Sequence, residues 1–483
     1  MRIRITIPSL LLCILMAACG AEDPRELAVT PPITIPDVEE EVNDVMIADY
    51  FSILTLENYY LWSDEPGFYE KVEKELDPYT CTTPITSIKN VLSEEDPWTM
   101  LSDKISVFLD YSDGIETTPG MDVTPVLWDR ETRKVFFIVN YVYANSPAEE
   151  VGIKRGDIFT KYNGKEITVD NYADYYNNDQ PFTLGVAYIK NNKIVETDQF
   201  YSITPVKMYE EPLLLTKVFD INGKKVGYMV YESFTQDVNN LKAACESFKD
   251  AGVTELVLDL RFNGGGYVAT SQAFASMLAP VENVKDEDIF IKNVYNEYLS
   301  EAELHDLIDQ RFIKKYASSN IGLEKIYALV SGNTASASEM LLVGLSPYID
   351  ITTIGTITYG KFCSGIILKP EELFTKDFTK EYGHLYKDWG IYVMIGSFSD
   401  KDGKNACRPY GMTPDYDVAD YPYDGRQLGD EEETLLRKAL ELAGKQYPAD
   451  SVSTRATSIL ALPCLAVEKP TVAIQNISLK KKF

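Results

Sequence analysis

The stretch 326-IYALVSGNTASASEML-341 joins a short apolar run, a turn crowded with hydroxyls and the start of a second apolar run. Its first five residues predict a buried strand, and Ser336 followed three positions later by Glu339 predicts a helix start. In that capping-box reading the two side chains satisfy amides that a helix start leaves without partners. A strand feeding a tight turn with a serine at a helix N-terminus is also how hydrolases present a nucleophile beside free backbone N–H groups. Local spacing is compatible with both uses, and one site can serve both.

The same strand–loop–helix unit recurs on either side. The strand 226-VGYMVYE-232 precedes a helical segment with Val238, Leu241, Cys245 and Phe248 on one face and Gly252 as its stop. The strand 255-ELVLDL-260 runs into Arg261-Phe262-Asn263-Gly264-Gly265-Gly266 and then a helix from about Val268. The strand 351-ITTIG-355 follows the opening stretch, and the helix 430-DEEETLLRKALELAG-444 closes the region. Repeated units of this kind predict an α/β core over residues 209–447, a mostly buried sheet covered by helices with functional loops at the strand ends.

A serine hydroxyl needs a base, and the chain has two histidines. His305 sits in the charged segment EAELHDL and His384 in the polar segment KEYGHLYKD, neither of them an apolar setting. Lysine is the substitute in Ser-Lys enzymes, provided burial brings its pKa near 7, a shift of about 4.6 kcal/mol. Lys361, in 354-IGTITYGKFCSGIIL-368, has the least polar surroundings of any lysine after the opening stretch. A strand-end lysine that snorkels to water is the plainer reading of the same residue.

Upstream, 135-VFFIVNYVYANSPAEEVGIKRGDIFTKYNGKEI-167 reads as a strand, a short helix ending at Gly152, a turn at Arg155-Gly156-Asp157 and another strand. This segment resembles a PDZ domain of the bacterial protease type, placed at residues 116–208. Such domains take a peptide as an added strand and capture its terminal carboxylate with backbone amides. By that resemblance Gly120 and Met121 stand at the carboxylate-binding loop, the alternative being a structural β-subdomain with a closed groove. Residues 41–115 read as a small, mainly helical domain, and residues 448–483 as a Pro- and Ser-containing tail.

The first 18 residues, with two arginines before a short apolar run, predict a secretory signal peptide too short to span a membrane. The segment Leu15-Met16-Ala17-Ala18-Cys19 resembles a bacterial lipobox, with Met16 where Leu is preferred, so Cys19 is the expected lipidation site. Residues 19–40, with Pro24, Pro31, Pro32 and Pro36, read as a tether. The expected location is the bacterial cell envelope, lipid-anchored to the outer membrane. The formal net charge of −28 argues against a nucleic-acid partner, because phosphates need clustered Lys and Arg. Past the signal and Cys19, five cysteines remain, an odd number that cannot all pair, and Cys363 with Cys407 is the pair to test first.

The strings LVLDLRFNGGG, SGNTASASE and TYGK, in that order behind a PDZ-like segment, resemble the C-terminal processing (tail-specific) serine peptidases, especially exported forms from Bacteroides-type bacteria. The resemblance implies a multidomain α/β architecture: a small N-terminal helical domain, a PDZ-like β-rich domain and a crotonase/Clp-like protease core. It places the nucleophile on Ser336 and the general base on Lys361, 25 residues downstream as in the family. It implies oxyanion donors at the Ala337 N–H and in the glycine loop, with Gly265 favoured. It also implies protein or peptide substrates met through exposed C-termini, with no cofactor and no metal. Two departures stand out: Pro347 and Gly365 occupy positions where family members often carry an Asp or Gln that orients the lysine. The competing expectation is a catalytically inactive peptide-binding lipoprotein of the same fold.

Overall fold

The computed structural model describes residues 26–28, 42–191, 193–301, 309–408, 410–448, 465, 472–475 and 478–480. Cys19, the signal segment and nearly all of the tether lie outside the described residues.

The core domain is built on a six-stranded sheet in the order Leu213–Ile221, Lys224–Tyr231, Glu255–Asp259, Lys325–Val330, Asp350–Gly355 and Tyr416–Asp417. The first two strands form an antiparallel hairpin and the remaining pairings are parallel. Glu255–Asp259 and Lys325–Val330 lie in the middle, which is why LVL and YALV are continuous apolar runs rather than alternating ones. One face is covered by Thr434–Leu442, whose Leu435, Leu436, Ala439 and Leu440 recur at helical spacing and pack on Val226, Tyr228, Val257 and Tyr327. The other face carries Asn239–Asp250, Val268–Leu278 and Ala337–Leu345. Each of the three expected strand–loop–helix units is present.

A second sheet was not foreseen. It runs Gly265–Tyr267, Val472–Ile474, Cys363–Leu368, Gly390–Ser399, Ile289–Tyr295 and Asp309–Arg311, with Met100–Ser102 also on Gly390–Ser399. Its longest strand, GIYVMIGSFS, is buried at most positions on both faces and so lacks the period-two signature of a half-exposed strand.

The PDZ-like domain is an antiparallel sheet in the order Met121–Asp129, Lys134–Val142, Ile158–Tyr162, Phe182–Lys190 and Lys193–Ile203. It has its own apolar clusters, including Val135, Phe137, Val139, Phe159 and Leu184. The chain enters and leaves it through paired strands, Ile115–Thr118 against Val206–Tyr209, which form a two-stranded neck. The helices Asp44–Tyr59, Phe68–Glu75 and Pro84–Val91 do not make a separate core. Ile47, Phe51, Tyr60 and Ile88 join one continuous cluster with Phe274, Met340, Phe374 and Val393. Cys363 and Cys407 are both buried as free thiols, so the pairing tested first is not formed.

Candidate active site

The Ser331–Ala335 turn is knitted to the loop that follows Glu255–Asp259. Ser331 Oγ donates to the Arg261 carbonyl at 2.5 Å and Thr334 Oγ1 to the Leu260 carbonyl at 2.8 Å. The Ala335 N–H and Ser338 Oγ both donate to the Asn263 carbonyl, each at 3.1 Å. These bonds hold Ser336 at φ 62°, ψ −113°, outside the regions a side chain prefers, a strain of about 1–3 kcal/mol that the surroundings must overdetermine. The Ser336–Glu339 pair has the capping-box arrangement. Its carboxylate half is a firm bond, Glu339 accepting from the Ser336 N–H at 2.8 Å, whereas Ser336 Oγ is buried with no hydrogen-bond partner. Capping has therefore passed to Glu339, and the hydroxyl is left for another use.

Glu339 also reaches the lysine loop. Its two oxygens accept from Thr358 Oγ1 at 2.6 Å, the Gly360 N–H at 2.8 Å and the Lys361 N–H at 2.9 Å. A single carboxylate thus ties the serine turn to the lysine backbone. Burial pushes its carboxyl up to about 7, against four donors that favour the charged form. Gly360 is needed at its position: φ is +95°, and a Cβ would meet the Gly411 nitrogen at 2.7 Å.

Lys361 does not snorkel; it is wholly buried. Nζ donates to Tyr392 Oη at 3.2 Å and lies 5.4 Å from the centre of the Trp98 ring and 4.9 Å from that of Tyr392. Loss of hydration pulls its pKa down from 10.5 to about 8, while the nearby Cys363, Asp96 and Glu339 act to raise it. Gly365 offers no room for an orienting side chain, since a Cβ there would lie 2.4 Å from the Val393 carbonyl oxygen. The contact with Nζ comes instead from Tyr392, on the neighbouring strand.

The expected oxyanion donors fare differently. Ala337 is the first residue of its helix, so helix geometry leaves its N–H without an intrahelical acceptor. The Gly265 N–H, by contrast, donates to Asn263 Oδ1 at 2.9 Å and is engaged within its own loop. Gly120 and Met121 are also not presented as free carboxylate donors. The Gly120 N–H donates to Thr118 Oγ1 at 3.0 Å, and Met121 is buried and paired with Val142. The outer edge of that strand is partly filled as well, Tyr176 Oη donating to the Val123 carbonyl at 3.1 Å.

Asn263, Tyr392 and Trp98 escaped the sequence reading. Asn263 stands directly before the glycines and could have been singled out for its amide; Tyr392 and Trp98 carry no local signal.

Comparison with known proteins agrees with this architecture. Residues 225–418 match the model of peptidase family S41 and residues 138–187 that of a PDZ domain. The "Probable CtpA-like serine protease" of Staphylococcus aureus strain COL is 28% identical over 325 residues, covering 64% of this chain and 57% of that protein. A carboxy-terminal-processing protease of Bartonella bacilliformis is 25% identical over 233 residues, 45% of this chain and 47% of that one. The chain thus spans little more than half the length of the S. aureus relative. A solved structure of a Bacteroides fragilis protein assigned to the S41 proteases covers 85% of this chain and 99% of that one, with TM-score 0.65 and 21% identity, a likeness of fold. The chain carries an S41 peptidase domain and, ahead of it, a PDZ domain.

Proposed function

We propose that this protein is a serine endopeptidase of the C-terminal processing type, with Ser336 as nucleophile and Lys361 as general base. The observation that carries this reading is the carboxylate of Glu339, which joins the strained turn bearing an unpartnered Ser336 hydroxyl to a buried lysine with a lowered pKa. Neutral Lys361 takes the Ser336 proton as Oγ attacks a peptide carbonyl. The resulting oxyanion is met by the Ala337 N–H, and Lys361 returns the proton to the leaving amine. Water, deprotonated by the again neutral Lys361 Nζ, then attacks the acyl ester, and Lys361 gives that proton to Ser336 Oγ as the ester bond breaks and the acid product leaves. A second donor at Gly265 requires its bond to Asn263 to open.

The proposed substrates are proteins or peptides of the cell envelope, engaged near exposed C-termini. Acylated Cys19 is the proposed anchor, and metabolic labelling with a fatty acid that survives Cys19→Ser removes that part. For the chemistry, the wild type is expected to cleave an unfolded protein with an apolar tail, and Ser336→Ala and Lys361→Ala each to abolish cleavage. Equal cleavage by all three sinks the assignment. The engaged Gly265 amide favours one other reading, a peptide-binding protein without turnover, which predicts no Ser336-dependent labelling by a fluorophosphonate.

A further inference from the structure

The second sheet includes a strand from beyond the last core helix. Val472–Ile474 lies between Gly265–Tyr267 and Cys363–Leu368, parallel to both. Val472 stands opposite Gly265, Ala473 opposite Gly266, and Ile474 opposite both Tyr267 and Gly365. The two flanking strands do not pair with each other; each meets this segment instead. Without it they would bound a gap one strand wide, the shape that takes an extended peptide by strand addition. One wall of the gap holds the expected oxyanion glycine, and the other begins two residues after Lys361.

The contacts inside the gap are selective. The Ile474 side chain is buried in the main apolar cluster. Gln475 follows it with three hydrogen bonds: its N–H donates to the Gly365 carbonyl at 2.8 Å, Nε2 to Ser364 Oγ at 2.7 Å, and Oε1 accepts from Tyr295 Oη at 3.2 Å. A carboxamide meets both hydroxyls, donating to one and accepting from the other, which an alkyl group cannot reproduce. The same stretch of chain also touches the PDZ domain, where the Leu465 N–H donates to the Pro125 carbonyl at 2.9 Å. Pro125 lies on the same edge strand as Val123, and Leu465 packs on that domain's core.

We propose that the gap between Gly265–Tyr267 and Cys363–Leu368 is the peptide-binding subsite of this protein, selective for an apolar residue followed by a carboxamide. Residues 472–475 fill it in cis and compete with substrate. The word substrate rests on the peptidase reading; the binding slot does not. A substrate strand and residues 472–475 cannot both lie in a gap one strand wide, so the segment sets the fraction of molecules able to bind.

The test uses a fluorescein-labelled hexapeptide TVAIQN, matching residues 471–476, with fluorescence anisotropy as the readout. All forms carry Ser336→Ala, so binding is measured without turnover. The full chain is compared with its Gln475→Ala variant and with a form ending at residue 463, which keeps every element through the helix Thr434–Leu442. The truncated form is expected to bind the peptide at least about tenfold more tightly than the full chain, with Gln475→Ala between them. The Gln→Leu analogue of the peptide is expected to bind the truncated form about tenfold more weakly. Equal affinity of full and truncated chains, indifference to the Gln→Leu exchange, or absence of binding to any form overturns the proposal. Hydrolysis is scored separately in chains that retain Ser336. Selective binding without hydrolysis removes the peptidase reading and leaves the slot, whereas hydrolysis without selective binding does the reverse.

Discussion

At Lys361 burial strips the ammonium of its hydration and lowers its pKa. At pH 7 most molecules still carry the ammonium, because its pKa is lowered only to about 8. Peptidase activity is therefore expected to rise through pH 7 and level off above about pH 8, as a pH–rate profile would show. The same burial costs stability. Between about pH 8 and 10.5 the unfolded chain binds a proton that the folded chain does not, so stability rises with pH across that window, and the penalty is full below it. Lys361→Met should abolish activity yet raise the melting temperature at pH 7, by up to about 3 kcal/mol of stability, with the gain fading near pH 10.5. A lower melting temperature at pH 7 would contradict this account. Glu339 is the converse case. Its oxygens face four donors, so Glu339→Gln turns an NH2 group toward N–H groups and leaves them unsatisfied. We expect a loss of about 3 kcal/mol in denaturant melts and a fall in kcat, even though the shape of the side chain is unchanged.

At the scale of elements, the PDZ domain is fastened to the core by a buried ionic network. Arg155, from the turn before Ile158–Tyr162, meets Asp420 at 2.5 Å and Glu433 at 3.6 Å. Arg261, at the end of Glu255–Asp259, meets the same Asp420 at 3.1 Å, Glu433 at 2.8 Å and Asp259 at 2.8 Å. Burial acts to raise the Asp420 pKa, but the two guanidinium groups outweigh it and hold the carboxyl below its ordinary range. The stability it contributes is thus present above the ordinary aspartate pKa and is lost only as pH falls through the lower folded value. Asp420→Asn leaves two buried cations short of a counter-charge, a cost of about 3 kcal/mol. Limited proteolysis should then cut at the neck formed by Ile115–Thr118 and Val206–Tyr209, and an unchanged digestion pattern would show that the network does not hold the domains together.

Across the whole molecule, the N-terminal helices are part of the body that holds Ser336 and Lys361. Phe51, Tyr60 and Trp62 share the main core, and Trp98 covers Lys361. A chain lacking residues 42–99 should lose cooperative unfolding in a calorimetric scan; a sharp transition at the original temperature would contradict the shared core. The three strand–loop–helix units of the core, the order of the Ser336 and Lys361 loops and the PDZ segment were all legible in the sequence. Each rests on a short-range signal: an apolar run, a helical period, a glycine turn or a motif of a few residues. The sequence also posed the question of what orients Lys361, because Pro347 and Gly365 are unsuited to the task. Only the tertiary structure supplied the contacts that bear on it. Tyr392 reaches Nζ from 31 residues away, and Glu339 reaches the Lys361 backbone from 22. It likewise placed residues 472–475 between two strands of the core. Such pairings depend on which surfaces meet after the chain has collapsed, and nothing in a local window encodes the partner. Local signals settle the elements and the candidate site residues, and packing between distant segments decides how they are held and what closes over them.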